Sequence, residues 1–172
     1  MLIRGLREGD EAELRRIHST PEVVRWWGEP EPGFPASDDP ESTRFCIVVE
    51  DRVVGLVEYW EELTPRYRHA TIDLFLDPAV HGRGLGTEAL RRMVGHLIAE
   101  RGHHRITIDP ACDNAVAIGV YEKVGFRAVG VMRRYERDSR GEGWHDCLLM
   151  ELIAGEQELG DVAEMGAPLV GA

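Results

Sequence analysis

The chain has 172 residues and 43% hydrophobic content, enough to bury a core without staples. Its formal net charge of −11 argues against nucleic acid, which needs a basic face; it suits a cationic ligand, or serves only solubility. No apolar run is long enough to cross a bilayer, Met1-Leu2-Ile3-Arg4 goes straight into a strand pattern so that no signal peptide is expected, and the scattered Cys46, Cys112 and Cys147 argue against a disulfide framework and against a zinc site, so a reducing cytoplasm is the expected setting.

In chain order, Leu2 to Arg7 reads as a strand and Glu8 to His18 as a helix with Leu14 and Ile17 inward. Pro21 opens a second helix carrying Val23, Val24, Trp26 and Trp27. Residues 28–40, acidic and rich in proline, form a loop. Phe45 to Glu50 and Val53 to Trp60 pair through a tight hairpin at Asp51-Arg52, and a further strand runs from Ala70 to Leu76. Leu85 to Arg101 has Leu90, Met93, Val94, Leu97 and Ile98 at helical spacing. Arg105 to Asp109 is a short strand stopped by Pro110, and Asn114 caps a helix with Val116, Val120, Tyr121 and Val124 on one side. Phe126 to Met132 and Trp144 to Ile153 close the pattern, and residues 154–172 read as a mobile acidic, Gly-rich tail. Strands alternating with helices predict a mixed α/β sheet in one domain over residues 1–153.

The most informative segment is His81-Gly82-Arg83-Gly84-Leu85-Gly86-Thr87 between strand and helix. Its alternate glycines leave backbone N–H groups uncovered at a helix start, which is a phosphate or pyrophosphate site. A Walker loop needs a lysine after the last glycine, and Thr87 stands there. A dinucleotide fingerprint needs a third glycine where Thr87 stands and a ribose-binding acid on a second strand; Glu100 lies in the helix instead.

The loop resembles the acyl-CoA pyrophosphate loop of the GNAT N-acetyltransferases, with His81 replacing the family's Gln or Arg. Asn114-Ala115-Val116-Ala117-Ile118-Gly119-Val120-Tyr121-Glu122-Lys123-Val124-Gly125-Phe126 is similar to that family's second hallmark. Trp26-Trp27-Gly28, Ile72-Asp73 and Thr107-Ile108-Asp109-Pro110 resemble the aminoglycoside 6'-N-acetyltransferases in particular. The short segment from Trp60 to Ile72 departs from them, because it lacks their acidic, Trp-bearing insert. The resemblance implies a GNAT fold, mostly antiparallel with helices flanking the sheet. Acetyl-CoA would lie between splayed strands 70–76 and 105–109. Leu74, Phe75 and Leu76 would contact it, with residues 81–87, Asn114, Ala117, Tyr121 and Lys123. The acceptor would be a small-molecule amine, an aminoglycoside 6'-amine above all, attacking directly in a ternary complex. A protein N-terminus, a siderophore lysine, or acyl-CoA binding without catalysis stays open, as does monomer or homodimer.

Amine acetylation needs a base for the ammonium and a proton donor for the departing thiolate. Asp73 shares a strand face with Thr71 and Phe75, and a carboxylate there is costly unless it faces a polar cleft. It is the candidate base; otherwise it is a buried Asp bonded to backbone. Tyr121 is the candidate acid, or a core tyrosine. Asp109 either holds a second ammonium or caps the turn at Pro110. Asp146 either lines the same cleft or makes a structural ion pair. Glu58 is a reserve base. Trp26 and Trp27 wall a sugar or aryl site, or at least one of them is core. Asn114 contacts the coenzyme or only caps its helix, and Lys123 faces the adenosine phosphates or only solvent. His103 and His104 read as surface, and no metal is expected.

Overall fold

The computed structural model of the chain describes residues 1–36, 42–139 and 141–156. Its elements run β1 (Leu2–Gly5), α1 (Asp10–His18), α2 (Pro21–Trp27), β2 (Ser42–Val49), β3 (Arg52–Glu62), β4 (His69–Leu76), α3 (Leu85–Ala99), β5 (Arg105–Ile108), α4 (Ala115–Val124), β6 (Arg127–Arg137) and β7 (Trp144–Ile153). The strands make one seven-stranded sheet in the order β1-β2-β3-β4-β5-β7-β6. Among the described residues only β4 and β5 pair in parallel; the other pairs are antiparallel. This is the expected α/β arrangement. The greater part of the loop at 28–40 is described, and residues 37–41 lie outside the described residues, as do residues 157–172 of the expected tail.

Successive side chains of a strand point to opposite faces, so the sheet separates two cores. On one face Ile72, Ile106, Ile108, Met150 and Leu152 pack against Leu90, Met93, Val94 and Leu97 of α3. On the other, Cys46, Val48, Leu56 and Phe75 pack under Leu14 and Ile17 of α1 and Val23 of α2. Each such aliphatic side chain contributes about 1.5–3 kcal/mol on burial, which fixes both helix layers to the sheet.

Several boundaries move for identifiable reasons. Asp10, not Glu8, opens α1; its carboxylate receives Arg4 at 2.6 and 2.9 Å and the Arg7 N–H at 2.7 Å. The hairpin turns at Glu50-Asp51, one residue early, with both residues left-handed at φ 50° and 59° as a two-residue turn requires. Strand β6 continues past Met132 to Arg137, through a register shift at Arg134 (φ 50°) whose N–H donates to Asp146 Oδ1 at 2.7 Å. His103 is not at the surface: it is 1% exposed. The turn after α3 folds it beneath β3, where Nε2 meets Glu61 Oε1 at 2.7 Å. His104 is exposed, as expected.

Candidate active site

The glycine loop is shaped as an anion cradle. Gly82 and Gly84 adopt φ 74° and 78°, a conformation that strains any side chain. Gly84 also stands at the N-cap of α3, where no side chain closes the helix. The N–H groups of residues 82–87 meet no carbonyl acceptor among the described residues, so the first turn of a 15-residue helix keeps its donors and its partial positive charge free. Arg83 adds an exposed cation, and His81 Nε2 lies 3.2 Å from the Leu76 carbonyl, tying the loop to the strand before it.

The second component is a fork. Strands β4 and β5 pair only at Ala70↔Ile106 and Thr71↔Thr107, and the two threonine hydroxyls bond across at 2.8 Å. Beyond that clasp the strands part. Asp73 and Asp109 lie on the two arms. Tyr121, 6% exposed, comes from α4 into electrostatic reach of both carboxylates. Among the described residues the Asp73 carboxylate accepts only the N–H of its neighbour Leu74, at 2.8 Å. Burial raises its pKa well above the carboxylate range, and the charges of Glu58, Asp109 and Glu136 raise it further. Burial likewise raises Asp109, against a hydrogen bond from Tyr135 that lowers it. Tyr121 is raised by burial first and by the two aspartates second, so it is protonated at neutral pH. The site therefore holds the protonated Tyr121 phenol, with Tyr135 bonded to Asp109, among carboxylates that repel one another.

Residues 6–126 match the acetyltransferase (GNAT) family. The chain belongs to that family. A Bacillus subtilis relative, the probable N-acetyltransferase YjcK, is 34% identical over 109 residues, 63% of this chain and 59% of that protein. The match thus spans less than two thirds of the relative's length. Among solved structures, Mycobacterium smegmatis RimJ in complex with CoA-disulfide superposes with a TM-score of 0.81 at 23% identity, covering 95% of this chain and 86% of that one. The aminoglycoside acetyltransferase AAC(6')-Ib in complex with coenzyme A gives 0.70 at 22%, covering 89% and 94%. At these identities the two structures show a common fold.

Within this GNAT domain the other expected residues divide. Glu58 sits opposite Asp73 in the β3–β4 register but is 3% exposed and closed by Arg44 Nε at 2.6 Å and Ser42 Oγ at 2.9 Å, so it is a neutralised neighbour rather than a free base. Asp146 makes no ion pair among the described residues; its carboxylate pins the Arg134 bulge. Trp27 is core, edge-on to Phe75 with ring centroids 4.9 Å apart, whereas Trp26 lies under the Arg25 guanidinium at 4.4 Å. Asn114 caps α4 by accepting the Ala117 N–H at 3.2 Å. Leu74 commits its amide to Asp73, and Lys123 is exposed with its carbonyl taking Arg91 at 3.3 Å. Sequence reasoning missed the Thr71–Thr107 clasp, and it missed Tyr135 and Glu136. The run Arg133-Arg134-Tyr135-Glu136-Arg137 shows no apolar alternation, so it carried no strand signal.

Proposed function

We propose that this protein is an acetyl-CoA-dependent N-acetyltransferase acting on a primary amine of a polycationic small molecule, an aminoglycoside 6'-amine being the favoured acceptor. The observation that carries the acceptor class is the set Asp73, Asp109 and Glu136. Burial and the neighbouring charges raise the proton affinity of Asp73 and Asp109 beside Tyr121, and no Lys or Arg pairs with the three carboxylates among the described residues. A set of carboxylates with no Lys or Arg counter-charge favours a ligand with several ammonium groups. AAC(6')-Ib, which shares the fold, has been solved with coenzyme A and kanamycin.

The residues present fit acetyl-CoA. The unpaired N–H groups of residues 82–87 suit its pyrophosphate, with Arg83 and Lys123 as outlying cations and Asn114 and Ala117 opening the facing helix. When bound, it supplies a thioester to the fork. The ionised form of Asp73, whose proton affinity is raised by burial and neighbouring charge, takes a proton from the acceptor ammonium and leaves a neutral amine. Tyr121 returns a proton to the departing sulfur. Its phenol is a weak acid, but a thiolate formed beside the same carboxylates is destabilised too, so transfer is favoured there. Trp26, half-buried on α2, is the wall of the acceptor side in this reading.

Free-thiol release from acetyl-CoA against aminoglycosides, polyamines, a lysine derivative and short peptides tests the reading. Fast release with aminoglycosides supports it in full. Release with polyamines alone keeps the polycation and removes the antibiotic. Release only with peptides overturns the acceptor class. Coenzyme binding without release from any amine overturns the enzyme reading.

A further inference from the structure

His145 and Cys147 are two residues apart on β7, and Glu136 is the cross-strand partner of His145 on β6. Side chains of such residues share one face. The shift in register between Met132 and Glu136, pinned by Asp146, turns Glu136 toward them. His145 Nε2 lies 3.0 Å from Glu136 Oε2, Cys147 Sγ lies 3.6 Å from the same oxygen, and the three donor atoms all fall within 4.8 Å of one another. A tetrahedral zinc ion, with bonds of about 2.0–2.3 Å to N, O and S, sets its ligand atoms about 3.3–3.6 Å apart. The Glu–Cys separation already meets that spacing, and His–Cys needs to close by about 1.2 Å at most.

The donor set and its surroundings also select for a metal. One thiol, one imidazole and one carboxylate suit zinc or cobalt, not the all-oxygen shell of calcium or magnesium. Cys147 is fully buried while Glu136 is exposed and His145 partly so, which leaves a solvent side for entry and for a fourth ligand. No Lys or Arg pairs with Glu136 among the described residues, and Asp109 adds negative charge beside it. The cysteine spacing conceals this arrangement, because the ligands come from two strands and only one is a cysteine.

We propose that Glu136, His145 and Cys147 form a three-ligand site for a thiophilic divalent cation of the zinc class, the Cys147 thiol releasing its proton to solvent as the metal–sulfur bond forms. The site stands independently of the acetyl-transfer reading. One consequence rests on that reading: an ion here removes Glu136 from the carboxylates facing the acceptor.

Cobalt titration of the full-length, chelator-stripped protein without an affinity tag tests this directly. The expected result is a 1:1 complex with a thiolate-to-cobalt charge-transfer band and intense tetrahedral visible bands, both displaced by zinc. Cys147→Ser should abolish the charge-transfer band. His145→Ala and Glu136→Gln, whose side chains lie at the rim, should weaken binding at least about tenfold, the cost of disturbing even an outer-shell partner. Cys112→Ser should bind as wild type. If Cys147→Ser does not fold, the two rim variants decide. Absence of the band in the wild type, its loss in Cys112→Ser, or wild-type affinity in both rim variants would overturn the site.

Discussion

Replacing Gly55 by alanine should damage both stability and coenzyme binding through one displacement. Gly55 pairs with Leu76, just after β3 changes its register with β2, and a Cβ placed there would meet the Phe75 carbonyl oxygen at 2.3 Å, Leu76 Cδ2 at 2.8 Å and Leu76 Cα at 3.0 Å. Two of these three atoms are backbone, so no rotamer change relieves the clash. Ordinary contact begins near 3.4 Å, so the end of β4 must recede by about 1 Å. Overpacking of this kind costs about 1–3 kcal/mol. For a chain of this size that corresponds to a melting temperature about 2–12 °C lower. Beyond Thr71 the strand has no paired strand on the β5 side among the described residues, so it yields toward the fork and carries Phe75 and Leu76 with it. Thermal denaturation and calorimetric coenzyme A titration read the two effects. Gly119→Ala, where nothing lies within 4 Å of the added Cβ, is the control and should be neutral or stabilising by up to about 1 kcal/mol. A Gly55→Ala protein with wild-type melting temperature and wild-type coenzyme affinity would refute the reasoning.

Three further outcomes follow from the site and its supports. Asp73→Asn should lose activity yet gain stability at neutral pH: the raised native pKa means the wild-type carboxylate costs stability increasingly as pH rises above about 4, and Asn Oδ1 still accepts the Leu74 N–H. Melting curves from pH 4 to 8 that show the variant less stable throughout would contradict this. Tyr121→Phe should cut kcat by about 100-fold or more with little change in coenzyme affinity or melting temperature; an unchanged kcat across the pH range would remove Tyr121 as the acid. Asp10, held down to about 2 chiefly by its hydrogen bond from Arg4, should contribute about 2 kcal/mol that is present above pH 4 and lost as pH falls toward 2. Asp10→Asn should therefore be destabilised by about 2–5 kcal/mol at pH 7, since it leaves Arg4 buried, and should show a flatter acid limb in urea titrations; a parallel acid limb would exclude the pair as its source.

What the sequence determined by itself was whatever short-range chemistry decides. Gly82 and Gly84 before an amphipathic helix dictate an N-terminus without a side-chain cap, because left-handed backbone and exposed amides are local properties. The apolar spacing of Leu90, Met93, Val94 and Leu97 likewise dictates which face of that helix is buried. Tertiary structure decided which polar groups meet. Glu58 and Asp73 read alike as acids in apolar strands, yet Arg44 from β2 neutralises one and leaves the other unpaired. His103 looked like a surface residue because its partner, Glu61, is 42 residues away. Glu136, His145 and Cys147 become neighbours only through the pairing of β6 with β7 and a bulge within it. Register and burial belong to the whole sheet, and the protonation of Asp73 and Tyr121 depends on both.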